Sequence, residues 1–340
     1  MNVKKQVKEL WKLCFDDNEA FVDMYFDLRY SSDRNIYIRR DDKIISALQM
    51  IAYPMTFCGT NIQTSYISGA CTHPDYRRKG VMYELLSQAF VRMQSAGIIF
   101  STLIPAKPQL IDYYARLGYV SIFEYSKRIL RLSEMPVSTS IRVEYATEYQ
   151  DDIYSYFNRK NSERTCCIQH TKVDFKVILA DLFLSGGKVF FAGREERSIE
   201  GIAFVSAIGN TLYVKELLSE NPETENELLR QAAIMYGCTE MIVIMPPATE
   251  TPERFPLGMV RIIDAEETLS VFATAHPEVE ITVELHDNVL SSNNGYYCLR
   301  NGRCTKGEMN LQKAFLRLSI RELAERIFTE MQPYMGLMVN

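Results

Sequence analysis

The sequence predicts a mixed α/β protein of more than one domain, with helix-flanked mixed sheets in tandem followed by a small α+β unit. Three observations lead there. The chain has 340 residues, of which 47% are hydrophobic and 24% charged, a globular composition at a length that exceeds one ordinary core. Its apolar residues switch repeatedly between alternation and three-and-four spacing. The order of these segments partly repeats in the middle of the chain.

Over residues 4–15, Val7, Leu10, Trp11 and Cys14 form the stripe of a helix buried on one side. A second helical piece follows Asp17 through Phe21, Met24 and Tyr25. Strand-like runs over 35–39, 44–53 and 63–72 are separated by Asp41-Asp42 and by Gly59-Thr60-Asn61, which predicts antiparallel hairpins. Val81, Leu85, Leu86, Phe90, Val91 and Met93 then share one face of a helix from about Gly80 to Ser95. Residues 98–104 are almost wholly apolar, as in a strand covered on both faces. A helix over 108–117, stopped by Gly118, and a strand over 119–132 complete a first domain, 1–134, whose mixed sheet has a parallel centre.

The segment MPVSTS, 135–140, reads as a linker. A second domain, 135–257, repeats part of the order: strands over 189–192, 201–208 and 211–218, turns at 194–197 and Gly209-Asn210, a helix opened by Thr224 and Glu227, and a strand over 240–244. In a third region, 258–340, Asp264 with Glu267 and Ser319 with Glu322 are capping pairs, 280–287 alternates as a half-buried strand, and Asn301-Gly302 is a two-residue hairpin turn.

Composition excludes several classes. A net charge of −5 lacks the broad basic surface that nucleic acid requires, and it makes a cationic partner electrostatically easier than an anionic one. No apolar run approaches the roughly 18 residues of a membrane span, so no membrane partner and a cytoplasmic location are expected. The eight cysteines form no C-x-x-C pair, and His73, His170, His276 and His286 form no metal-ligand pair. Free thiols in a reducing compartment and no metal are the expectation.

Residues 66–83 read YISGACTHPDYRRKGVMY: an apolar strand, a basic turn, one glycine and a helix. Such a turn is an anion cradle, because helix N-terminal amides lack intrahelical partners and sit at the positive end of the dipole. Gly80 lets backbone approach a pyrophosphate, and Arg77, Arg78 and Lys79 add charge. An isolated basic turn would be ordinary surface. The preceding strand, the following helix, a second strand and the element Tyr114-Ala115-Arg116-Leu117-Gly118-Tyr119 make it a site.

On these residues the sequence resembles the GNAT N-acetyltransferases, whose loop R-x-x-G-x-[GA] is matched by Arg77 and Gly80. Met82 stands where glycine or alanine is usual, a departure typical of the Eis-like (enhanced intracellular survival) branch, which this stretch resembles closely. The segment VELHDNVLSSNNGYYCLRNG, 283–302, resembles the signature of that branch's sterol-carrier-protein-like third domain. The resemblance thus implies tandem GNAT folds, the second without a cofactor loop, followed by a sterol-carrier-like domain.

It implies acetyl-CoA as co-substrate and direct transfer to a primary amine, of polyamine, aminoglycoside-like or lysine type. The backbone of Ala70, Cys71 and Thr72 would meet the pantetheine arm and the acetyl carbonyl. The amides of Arg78, Lys79, Gly80, Val81, Met82 and Tyr83 would meet the pyrophosphate. Tyr114 matches the tyrosine that protonates the departing thiolate, a general-acid role. The terminal carboxylate of Asn340 matches the group that relays the amine proton. The Cys71 thiol is expected to fill core, and His73 to be a turn residue. The second domain offers Ser219-Glu220-Asn221-Pro222 in place of a cradle, and is expected to wall the acceptor cleft with acidic residues and to make contacts in a homo-oligomer, a hexamer in some relatives. The competing reading, motivated by Met82, is a catalytically weak acyl-CoA-binding or protein-interaction module.

Overall fold

The structure, a computed structural model, describes residues 2–137, 140–195, 198–247, 253–307 and 315–339. The first part of the chain forms α1 (Val3–Cys14), α2 (Glu19–Leu28), β1 (Asn35–Arg40), β2 (Lys43–Phe57), β3 (Thr60–Thr72), α3 (Val81–Ser95), β4 (Phe100–Leu103), α4 (Ile111–Ala115) and β5 (Val120–Arg131). Asn2 and Asn18 cap the first two helices by accepting from the amides of Lys4 and Phe21 at 3.0 and 2.8 Å. The helix expected over 108–117 is shorter. Pro108 starts a 3₁₀ turn that gives way to α4 only at Ile111.

The middle part forms β6 (Arg142–Ala146), α5 (Asp151–Ser162), β7 (Cys167–Ile168), α6 (Lys172–Leu184), β8 (Lys188–Gly193), β9 (Gly201–Ile208), β10 (Thr211–Ser219), α7 (Pro222–Tyr236) and β11 (Glu240–Met245). In both parts a meander of antiparallel strands feeds one helix and then a strand parallel to the last: β3, α3, β4 in the first, and β10, α7, β11 in the second. The remainder forms β12 (Phe255–Ile262), α8 (Ala265–Ala275), β13 (Ile281–His286), β14 (Gly295–Arg300), β15 (Arg303–Gly307), β16 (Phe315–Ser319) and α9 (Ile320–Phe328).

Twelve strands make one sheet in the order β1-β2-β3-β4-β12-β5-β11-β10-β9-β8-β6, with β7 beside β2, and β15-β14-β13-β16 make a second sheet near the chain's end. The length of β5 explains the continuity. Its residues 120–125 pair with β12, and its residues 126–131 pair with β11. The fully buried tract of β12 lies antiparallel between β4 and β5, so the start of the last region completes the first sheet.

Arg261 ties these parts together. Its Nη2 donates to both oxygens of Asp287 at 2.8 Å, its Nε donates to the Leu117 carbonyl at 2.7 Å, and its guanidinium lies 4.5 Å from the Phe90 ring centroid. Taking both charges out of water is tolerable only because each is paired and hydrogen-bonded.

Two cores cover the β1 to β5 part of the twelve-stranded sheet, and a third packs α7 on β8 to β11. On the α3 side Ile67, Leu86, Phe90, Tyr114 and Tyr119 pack together. On the α1 and α2 side Trp11, Tyr25, Tyr53 and Tyr66 continue into Phe157 and Phe175 of the middle part and Phe328 of α9. Among the described residues no helix is long and apolar enough to cross a membrane.

Candidate active site

Parallel pairing of β3 with β4 spans Thr64–Phe100, Ser65–Ser101 and Tyr66–Thr102, and stops there. Beyond Tyr66, β3 runs on to Thr72 with β2 along one edge, so its other edge faces a wedge between the strands. The register with β2 slips here: Gly69 and Ala70 together oppose Leu48, a bulge with Gly69 at φ +61. Trp11 presses on it from α1, its ring fixed by a 2.7 Å bond from Nε1 to Asp17 Oδ2.

Ala70, Cys71 and Thr72 thus lie on the bulged, half-open stretch. The Cys71 carbonyl accepts from Ser46 Oγ at 2.9 Å, and the Thr72 carbonyl accepts from Arg77 Nε at 3.0 Å. The Cys71 thiol is buried. A hydrogen bond with it, aided by Arg77 Nη2 at 3.6 Å, pulls the neighbouring Cys14 thiol down to about 6, and the same bond together with burial pushes Cys71 well up. Cys71 is therefore the inert partner.

The chain then turns through His73, whose Nδ1 accepts from the Asp75 amide at 3.3 Å. It enters α3 through two residues of left-handed conformation, Arg78 at φ +60 and Gly80 at φ +79. Gly80 is the N-cap and has no side chain to satisfy the helix. The first intrahelical bond runs from the Glu84 amide to the Gly80 carbonyl at 3.0 Å, so the amides of Val81, Met82 and Tyr83 precede it. A Cβ at Gly80 would meet nothing within 4 Å. The turn therefore fits a phosphate brought close to its backbone.

Arg78 and Lys79 are exposed at this turn, with Lys79 Nζ 5.5 Å from the Tyr76 ring centroid. Arg77 folds back to brace Thr72 and Cys14 instead. Met82 is half-buried and packs against the core under α3, which explains how a long side chain is accommodated where the family pattern has a small one.

Tyr114 sits on α4, held between Tyr113 and Tyr119 with ring centroids 5.4 and 5.7 Å away. Its carbonyl accepts from the amides of Leu117 and Tyr119 at 2.9 and 3.2 Å, which closes the turn before Gly118. The phenol interacts electrostatically with that of Tyr66, the residue where β3 and β4 part. Burial, reinforced by Tyr113, raises it above an ordinary phenol, so it carries its proton at neutral pH.

A cavity of about 410 Å³ lies on the α1 and α2 side, lined by Asp17, Phe21, Asp181, Leu184 and Met338 among others. Burial raises the Asp181 carboxyl. Phe21 packs 6.2 Å from Tyr25, whose hydroxyl shares a 2.7 Å hydrogen bond with Ser68 on β3, so this cleft is one ring from the bulge.

The equivalent helix of the middle part, α7, starts differently. It begins at Pro222, not at the expected Thr224. The Asn221 side chain accepts from the Thr224 amide at 2.9 Å, Pro222 has no N–H, and Glu223 and Glu225 fill the first turn. That terminus is already capped and repels phosphate. Asn340 lies outside the described residues; Val339 before it is buried. Sequence reasoning passed over Arg29, Asp174 and Glu216, which are buried, and His170, which entered it only as a missing metal ligand; no local pattern marks them.

Residues 3–122 match the profile of the Acetyltransferase (GNAT) domain family. This part of the chain is a GNAT acetyltransferase domain, an enzyme fold that takes acetyl-CoA as co-substrate. No curated protein matches the chain in sequence. Crystal structures share its fold almost end to end. It is similar to a probable N-acyltransferase from Enterococcus faecalis, at 14% identity with 98% of this chain and 95% of that chain covered and a TM-score of 0.77. It is similar to a GCN5-related N-acetyltransferase from Anabaena variabilis at 16% identity, 98% and 95% coverage and TM-score 0.74. An Eis protein from Mycobacterium abscessus aligns at 11% identity, 95% and 86% coverage and TM-score 0.72. At these identities the likeness is one of fold.

Proposed function

We propose that the protein is an acetyl-CoA-dependent N-acetyltransferase of the Eis-like branch, cytoplasmic and homo-oligomeric, with domains over 1–134, 135–257 and 258–340 and a sterol-carrier-like last domain. The observation that carries this is the pairing, across one wedge, of an open amide cradle at Gly80 with a buried, protonated phenol at Tyr114. The amides from Arg78 to Tyr83 hold the pyrophosphate, and Ala70, Cys71 and Thr72 orient the pantetheine arm and acetyl carbonyl. A primary amine attacks that carbonyl; a C–N bond forms as the C–S bond breaks. Tyr114 gives its proton to the departing sulfur, and the Asn340 carboxylate takes the proton lost by the amine. The carboxylates of Asp17 and Asp181 beside the cleft favour an amine that arrives as a cation and gives one proton to solvent before its nitrogen attacks.

Calorimetry with acetyl-CoA and a thiol-release assay over polyamines, aminoglycosides and lysine peptides test the reading. One binding site per chain and amine-dependent release of CoA are expected. Binding without release from any amine would leave an acyl-CoA-binding module in its place.

A further inference from the structure

Cys14 is the last residue of α1, and Cys71 lies on the bulged stretch of β3. Two contacts one turn apart hold the helix on this strand. The Trp11 ring presses on Gly69, and the Cys14 thiol meets Cys71 and Thr72. Cys14 Sγ lies 3.4 Å from the Thr72 carbonyl oxygen and 3.6 Å from Arg77 Nη2, and the Cys14 and Cys71 side chains are hydrogen-bonded to each other. Cys14 is half-buried beside an exposed Arg77, so part of it faces solvent, whereas Cys71 is buried.

The two sulfurs differ in charge. The bond with Cys71 and the Arg77 guanidinium pull the Cys14 thiol down to about 6, so it is a thiolate at neutral pH. Cys71 keeps its proton, held up by the same bond, by burial and by the Cys14 charge. Burial raises the thiols of Cys58, Cys166, Cys167, Cys238 and Cys304 instead. Cys14 therefore has what an attacking sulfur needs: negative charge, a cation to hold it and a path to solvent. Cys71 has what a resolving sulfur needs, because it stands in contact and is protected until its neighbour reacts. Once Cys14 loses its charge, only burial still holds the Cys71 proton.

We propose that Cys14 and Cys71 are a redox pair: a hydroperoxide oxidises Cys14, and Cys71 then closes a disulfide that ties α1 to β3. In the first step Cys14 Sγ attacks a peroxide oxygen. An S–O bond forms as the O–O bond breaks, the departing oxygen takes a proton from solvent, and Cys14 becomes a sulfenic acid. In the second step Cys71 Sγ attacks Cys14 Sγ. The S–S bond forms as the S–O bond breaks, and the Cys71 proton leaves with the oxygen as water. The sulfurs give up two electrons and the hydroperoxide takes them. A dithiol reverses the reaction by exchange, as suits a disulfide that forms only transiently in a reducing compartment. The pair stands independently of the acetyltransferase reading, although the strand it ties is the one that lines the proposed cofactor site.

The test treats the reduced full chain with hydrogen peroxide, alkylates the remaining thiols and maps the digest by mass spectrometry. A peptide pair joined through Cys14 and Cys71 is expected, with an intact mass lower by two hydrogens and both thiols recovered in dithiothreitol. Cys14 should be oxidised at least about tenfold faster than Cys58, whose thiol is raised by burial. Cys71→Ala removes only the resolving sulfur, so Cys14 should stop as a sulfenic acid that dimedone traps. Cys14→Ser should leave Cys71 reduced. Oxidation of wild-type Cys14 to the sulfinic acid without the joined pair overturns the proposal, as does a Cys14 that is still alkylated in full after peroxide or that reacts no faster than Cys58. These three results need no variant, so a core substitution that fails to fold leaves the test intact.

Discussion

The indole of Trp11 occupies the space that a Cβ on Gly69 would need, with ring carbon Cζ3 2.1 Å from that position. The first helix thereby reads the backbone of the bulge directly, and the bulge sets where β3 turns its edge to the wedge. Gly69→Ala adds a methyl group into the ring and holds an L-residue at φ +61. The expected loss is about 2–4 kcal/mol from overpacking and backbone strain. Trp11→Leu in the same protein should restore part of it. Equal melting temperatures for wild type and Gly69→Ala would mean that the ring moves freely, and the bulge would lose its support.

At the cradle, backbone and charge can be separated. A Cβ at Gly80 meets nothing within 4 Å, so Gly80→Val strains the backbone at φ +79 without displacing core packing; the melting temperature should fall modestly while acetyl-CoA affinity falls by about 10²-fold or more. Arg78→Ala and Arg78→Gly both remove the charge, yet only glycine relieves φ +60. The two should lose the same affinity, and the glycine variant should be the more stable by about 1 kcal/mol. Calorimetry beside thermal melts reads both quantities, and undiminished binding in Gly80→Val would move the cofactor elsewhere.

Tyr114→Phe keeps the ring between Tyr113 and Tyr119 and deletes the hydroxyl alone. Loss of a general acid should lower kcat by about 10²-fold or more with acetyl-CoA affinity almost unchanged. A matched fall in affinity and turnover would assign the tyrosine to packing.

The cradle was legible because its signals are local. A strand, a glycine turn and a helix follow one another in the sequence, and Gly80, the Asn301-Gly302 turn and the Ser319 capping box each act on their near neighbours. The helices α5 and α6 were not read, and α6 carries apolar residues around most of its surface, leaving no stripe to find. The inner polar groups are harder still. Arg29 and Asp174 are 145 residues apart, and Asp174 looks in sequence like an ordinary capping residue, a role it also plays. The meaning of such groups comes from burial and from partners brought by distant elements. The insertion of β12 between β4 and β5 is non-local in the same sense, since nothing in 255–262 says which strands it will separate.

Glu216 provides a prediction that needs no knowledge of substrate. It lies on β10 at a break in the register with β9, is fully buried and accepts from the Tyr334 hydroxyl. Burial pushes its carboxyl up to about 7, against the Tyr334 bond and the charge of Arg164, from an ordinary 4.5. The folded protein then holds this proton more tightly than the unfolded chain. Its contribution to stability is full below about 4.5 and is lost as pH rises through 7. The loss has an upper limit of about 3 kcal/mol. His170 has the opposite sign, because its folded value of about 4 lies below the ordinary 6.5, so its contribution is present above 6.5 and is lost as pH falls through 4. Glu216→Gln keeps an oxygen for Tyr334 and removes the titration, whereas the His170 contribution is common to both proteins and cancels in their difference. Melting curves from pH 5 to 8 should therefore diverge, with the glutamine variant gaining on the wild type as pH rises and the two converging toward the acid end. Parallel curves would mean that Glu216 ionises alike in the folded and unfolded states, and that the carboxylate, not the acid, is the form packed beneath Tyr334.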